Sequence, residues 1–274
     1  MADRAHPRDA EALSAAHPGW DLLEGGQVRV RADGRARAAE LGLDGLERAF
    51  ALPAVRRSAW KAWARLGEGP AAVFLKRWEY DRREVWLRSA LKWNWPVWSG
   101  PRELENLLTL AAAGLRVPRP LAAGERDEGP RRRSFVALEA LPGTPLEQLA
   151  PPAAPAARRA RTRAVADLVR RLHAAGFWHK DLYAGNVFWD EAQGPGLIDC
   201  ERVERRAGGP PWRWRVKDLA ALHGSCGPAW TRADRLRFLR AYLERPRLDP
   251  PARRLLSAIA RKARRLVRHG AKGP

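Results

Sequence analysis

One octapeptide constrains this chain more than any other feature: His179-Lys180-Asp181-Leu182-Tyr183-Ala184-Gly185-Asn186, followed thirteen residues later by Asp199 at the end of the apolar run Leu197-Ile198. It lies between an amphipathic stretch at 158–175 and two strand-like segments, 186–189 and 196–199, split by a turn. A hairpin of that kind brings Asp181, Asn186 and Asp199 to one edge. Phosphoryl transfer needs an acceptor hydroxyl held in line with the γ-phosphate and a cation on the phosphates. Asp181 is suited to accept the hydroxyl proton. Asn186 and Asp199 offer the hard oxygens that Mg²⁺ prefers.

A second constellation supports the first. Residues 71–78, AAVFLKRW, follow the turn-rich Gly67-Glu68-Gly69-Pro70 and read as a strand carrying Lys76. A lysine there can anchor the phosphates of ATP if a helix supplies it with a carboxylate. Arg102 to Gly114 has helical periodicity, and Glu103 shares a face with Leu107 and Leu110. Glu105, its competitor, points roughly 200° away. The buried strand from Phe135 to Leu141 stops at Pro142-Gly143, so the backbone of Glu139 and Leu141 is expected to meet the adenine. Asp218 is expected to brace the catalytic loop by hydrogen bonds, and His173 to be structural. Asp33-Gly34 and Gly42-Leu43-Asp44-Gly45 are the candidates for a loop covering the phosphates.

The loop resembles the catalytic loop of the protein-kinase superfamily, H-R-D-L-x-x-x-N followed by D-F-G. Lys180 stands where that signature has Arg, and Asp199-Cys200-Glu201 replaces Asp-Phe-Gly. The first argues against regulation through a phosphorylated activation loop, the second against a flipping D-F-G switch, and both resemble kinases of small molecules or glycans. Residues 70–224 look most like the lipopolysaccharide kinase family, through FLKRW, RELENLLTLAAAGLRVPRPLAAGE, HKDLYAGN, LIDCERV and KDLAAL. Asn186 stands where several members carry His, a feature shared with aminoglycoside and choline phosphotransferases. The resemblance implies an α+β, protein-kinase-like, two-lobed fold with an ATP cleft between a small β-rich N-lobe and a helical C-lobe. The expected division is a lead-in at 1–19, an N-lobe at 20–140 and a C-lobe at 141–274. It also implies ATP and Mg²⁺ as cofactors and a sugar hydroxyl of the lipopolysaccharide inner core as acceptor.

Charge separates the remaining readings. With 51 basic and 31 acidic residues the chain carries +20. That field attracts phosphate- and carboxylate-bearing sugars and repels cationic aminoglycosides or choline. Arg and Ala are over-used throughout, loops included, which is also the mark of GC-rich coding. A basic chain with 13 Trp can stack bases, but a scaffold or nucleic-acid binder has no need of Lys76, Asp181, Asn186 and Asp199 together, and no nucleic acid is expected. No run is apolar enough to span a bilayer. No signal peptide is visible, and two cysteines form no disulfide framework. The expectation is a cytoplasmic protein with an anionic glycolipid or sugar partner and peripheral contact with the inner membrane. Trp86, Trp93, Trp95 and Trp98 can meet membrane, sugar or one another. A basic amphipathic helix at 251–268 closes the pattern.

Overall fold

The structure is a computed structural model that describes residues 19–84, 99–227 and 230–270. The tryptophan-rich stretch from 86 to 98 and nearly all of the lead-in lie outside the described residues. Two compact units divide the chain. The first runs to Glu105 and resumes over Arg119–Ala140; the second takes Asn106–Pro118 and everything from Leu141.

The first unit is built on a seven-stranded sheet. Its strands are β1 (Trp20–Leu23), β2 (Val28–Arg31), β3 (Arg56–Arg57), β4 (Lys61–Leu66), β5 (Val73–Asp81), β6 (Pro120–Glu128) and β7 (Arg131–Glu139). The spatial order is β1-β2-β6-β7-β5-β4-β3, and every neighbouring pair is antiparallel. Side chains alternate across a strand. On β5, Val73 and Leu75 therefore join Val28, Val30, Phe135 and Ala137 in one core with two short helices, α1 (Arg35–Glu40) and α2 (Leu46–Ala51). Arg77 faces the same way and is buried, which needs explaining for a charge. Its Nη1 donates to the carbonyls of Ala49, Phe50 and Leu52 at 2.7–3.0 Å, capping the negative end of α2. Lys76, one position before, takes the opposite face.

Helix α3 (Gly100–Ala112) buries Leu104, Leu107 and Leu110. Its first turn lies directly on β7: a Cβ at Gly100 would collide with the Phe135 carbonyl, and the Gly100 N–H donates to Ser134 Oγ at 3.3 Å.

The second unit is mostly helical. It holds α4 (Pro155–Ala174), α5 (Trp212–Ser225), α6 (Arg232–Leu243) and α7 (Pro250–Gly270). Helix α4 buries Val165, Leu168, Val169 and Leu172. Leu255, Ile259 and Ala263 of α7 are buried, as the periodicity predicts, while Arg253, Arg254, Arg261 and Arg264 are exposed. Small strands complete the unit: β8 (Thr144–Pro145), β9 (Phe177–Trp178), β10 (Val187–Asp190), β11 (Gly194–Leu197) and β12 (Glu204–Arg205). Strands β10 and β11 form the expected hairpin, β8 adds to its edge, and β9 pairs with β12. Among the described residues no helix is long and apolar enough to cross a membrane.

Candidate active site

Within the first unit, Lys76 Nζ lies 2.6 Å from Glu103 Oε1. Glu103 is fully buried and Lys76 nearly so. The register places Lys76 between Trp63 and Val136, mid-sheet. The pairing falls to Glu103 and not to Glu105, whose carboxyl is pushed up by burial. A buried ion pair is costly in apolar surroundings unless a further partner uses it.

Glu139 and Leu141 are the residues whose backbone is expected to meet the adenine. The Glu139 N–H donates to Arg119 O at 2.9 Å and its carboxylate accepts from Arg31 at 2.7 Å. The Ala140 N–H donates to Ala72 O, also at 2.9 Å. Leu141 is the first residue of this stretch whose N–H has no backbone partner among the described residues. Neither glycine-bearing candidate for a phosphate cover lies in the hairpin that adjoins β5. Asp33-Gly34 forms a turn after β2, where Arg31 and Arg119 bind the Asp33 carboxylate. Gly42 to Gly45 link α1 to α2. The hairpin beside β5 is β3–β4, whose turn Ser58-Ala59-Trp60 contains no glycine, so the sequence carried no signal for it.

In the second unit the loop after β9 is pinned from several sides. Asp218 of α5 accepts from the N–H of His179 at 2.7 Å and of Lys180 at 2.8 Å, the bracing expected of it. His179 is fully buried and its Nε2 meets Ile198 O at 3.0 Å. His173 bridges Tyr242 and Asp218 inside the helices, a structural post. Lys180 takes a left-handed backbone, φ 69°, and so does Asp199, φ 57°. Such conformations are strained for residues other than Gly and persist when surroundings over-determine them. Here the Asp218 bonds hold Lys180, and the Ile198 N–H donates to Asn186 O at 3.0 Å just before Asp199.

The Asn186 amide donates to Asp181 O at 2.8 Å. One of its two amide hydrogens is thereby engaged, and that bond leaves the Oδ1 lone pairs unused. Asn106 of α3 donates to the carbonyls of Cys200 and Val203 at 2.8 and 3.2 Å, fixing the turn after Asp199. Cys200 itself is fully buried.

Three residues around Asp181 were not assigned from the sequence. Arg202 Nη1 donates to Asp181 Oδ2 at 2.8 Å and Oδ1 at 3.1 Å. Lys217 Nζ lies 3.7 Å from Oδ1. Burial holds the Lys217 ammonium below the usual lysine range, with Asp181 opposing and Arg202 and Lys180 adding to the depression. Trp214 stands beside them, 4.9 Å from Lys180 Nζ and 5.4 Å from Lys217 Nζ. Burial and the Asp181 charge raise the Tyr183 hydroxyl above its ordinary value.

A strand lysine paired to a helix carboxylate, and an H-x-D loop whose Asn precedes a hairpin ending in Asp, define the protein-kinase-like class. The lipopolysaccharide kinase (Kdo/WaaP) family profile matches residues 46–242. The chain belongs to that family. It is 36% identical over 167 residues to a lipopolysaccharide core heptose(I) kinase WaaP of Pseudomonas aeruginosa, covering 55% of this chain and 62% of the relative. It is 40% identical over 123 residues to a 3-deoxy-D-manno-octulosonic acid kinase of Xanthomonas euvesicatoria, covering 45% and 48%. The chain thus spans about half to three-fifths of the length of these relatives. A crystal structure of WbdD at 20% identity gives a TM-score of 0.46, covering 79% of this chain and 47% of that one.

Proposed function

We propose that this protein transfers the γ-phosphoryl group of ATP to a sugar hydroxyl of the lipopolysaccharide inner core, on Kdo or heptose. The supporting observation is the pinned loop that holds Asp181, Asn186 and Asp199 in a chain of this family. Lys76, oriented by Glu103, binds the phosphates, and the Leu141 N–H donates to the adenine edge. Asn186 Oδ1 and the Asp199 carboxylate would hold Mg²⁺, a donor set of one amide oxygen and one carboxylate that suits a hard cation completed by phosphate and water. When bound, the ion supplies charge neutralisation on the phosphates. Asp181 accepts the proton of the acceptor hydroxyl as that oxygen bonds to the γ-phosphorus. The bond from phosphorus to the β–γ bridging oxygen breaks, and ADP leaves with that electron pair.

Residues from Lys76 to Asp199 also suit a small-molecule phosphotransferase, so the acceptor is decided by experiment. Labelled ATP is incubated with deacylated core oligosaccharide and, separately, with kanamycin-like amines. Label on the oligosaccharide, at a position lost when its Kdo and heptose are removed, is expected. Label on the amines alone would overturn the proposal. The cytoplasmic face of the inner membrane is the proposed place of work, because the acceptor is a glycolipid and the chain is strongly basic.

A further inference from the structure

Beside Asp181, the second unit gathers more positive charge than positioning one carboxylate requires. Lys180, Arg202 and Lys217 meet there, and Arg213 lies over the neighbouring Trp214 ring. Asp181 is shared by Arg202 and Lys217, and Glu204 is taken by Lys180. Arg213 has no acidic partner among the described residues. Asp218, the next carboxylate, is turned inward to the His179 and Lys180 N–H groups. At the centre is the Trp214 ring. Lys180 Nζ, the Arg213 guanidinium and Lys217 Nζ lie 4.9, 5.2 and 5.4 Å from its centroid. Three cations around one half-buried indole repel one another, and burial of Lys217 sharpens that repulsion. Cation–π attraction offsets part of it. An arriving anion would relieve the rest.

We infer that Trp214, Lys217, Lys180 and Arg213 form an acceptor subsite for a carboxylate- or phosphate-bearing sugar, which stacks on the indole while its hydroxyl reaches Asp181. The inference rests on the kinase reading and names what that site accepts. The indole gives a flat apolar platform for a sugar ring, and the ammonium and guanidinium groups bind the ring's anionic substituent by charge-assisted hydrogen bonds. Because Lys217 touches both Asp181 and the ring of cations, the anion and the reacting hydroxyl are read by adjoining groups. A neutral sugar gains only the stacking.

The probe is glucuronate, with glucose as its neutral control. The full chain is labelled with ¹⁵N at its Trp indoles, and the Trp214 signal is assigned by its absence in Trp214→Phe. Glucuronate is expected to shift that signal saturably, while glucose at equal concentration does not. Arg213→Gln should weaken glucuronate binding by about tenfold, the worth of a charge-assisted hydrogen bond, with unchanged melting temperature and Mg·ATP affinity. Equal shifts by glucose and glucuronate, or an Arg213→Gln protein that binds glucuronate as well as wild type, would overturn the subsite. Calorimetry with Mg·ATP keeps the two readings apart. ATP binding without the Trp214 response sinks the subsite alone, whereas a Trp214 response without ATP binding sinks the kinase reading and leaves an anion site standing.

Discussion

Asp181 is the residue on which the proposed chemistry turns, and its surroundings set what its loss should do. Arg202 and Lys217 hold the carboxylate in place, while the nucleotide is assigned to other side chains. Asp181→Asn should lower the transfer rate by about 10²–10⁴ and leave Mg·ATP affinity near wild type. Steady-state kinetics and calorimetry check it; a variant retaining a tenth of wild-type turnover would remove Asp181 from its role. The placement of Asp181, Asn186 and Asp199 on a loop and hairpin, and of Lys76 on a strand, was legible because the spacing is local. Glu103 was legible because helical periodicity alone separates it from Glu105. Arg202, Trp214 and Lys217 were not, because two elements far apart in sequence deliver them to Asp181. The partners of Glu139 were hidden for a related reason: a strand-terminal residue reads as exposed backbone until Arg119 and Arg31 are known to bind it.

At the scale of elements, strand β6 shows what periodicity misses. Its first five residues are buried without alternation and the rest are largely charged, so neither half reads as half-buried strand. Helix α3 was plain, yet its seat was not: the backbone contact at Gly100 leaves no room for a side chain. Gly100→Ala must push α3 off β7, and a destabilisation of about 2–4 kcal/mol is expected, measured by denaturant unfolding. A loss below half a kcal/mol would mean that the helix start yields easily. Helix α6 is fixed by a capping box, Thr231 and Asp234 exchanging side-chain and backbone bonds. Burial alone would raise the Asp234 carboxyl, but Arg158 and Thr231 bind it and bring it to about 2. The unfolded chain therefore takes up this proton before the folded one does, and stability falls as pH drops from about 4 towards 2. Asp234→Asn should flatten that part of the curve, at the cost of stability near neutrality. Unfolding curves for both proteins between pH 6 and pH 2.5 measure it.

For the whole molecule, the charge of +20 has a direct readout. Exposed Arg253, Arg254, Arg261 and Arg264 of α7 add to a field that attracts anionic lipid, each surface cation contributing roughly 1 kcal/mol. The apolar stripe of α7 is occupied by packing, so binding should be electrostatic and should not involve insertion. Co-sedimentation with anionic vesicles is expected at low salt and should fade by about 0.5 M, beyond the reach of screened charges; neutral vesicles should leave the protein in solution. Retention on both kinds of vesicle would contradict a purely electrostatic contact. The two cysteines carry a different consequence. Cys200 is wholly enclosed beside Asp199, and Cys226 is enclosed at the end of α5 with its thiol pushed up to about 12 by burial. Neither offers a thiolate to solvent while the fold is closed, so each reacts only in the moments when its neighbourhood opens. The protein thus contains two internal clocks, one keeping the time of the loop at Asp199 and one that of the helical body, and a thiol reagent reads both.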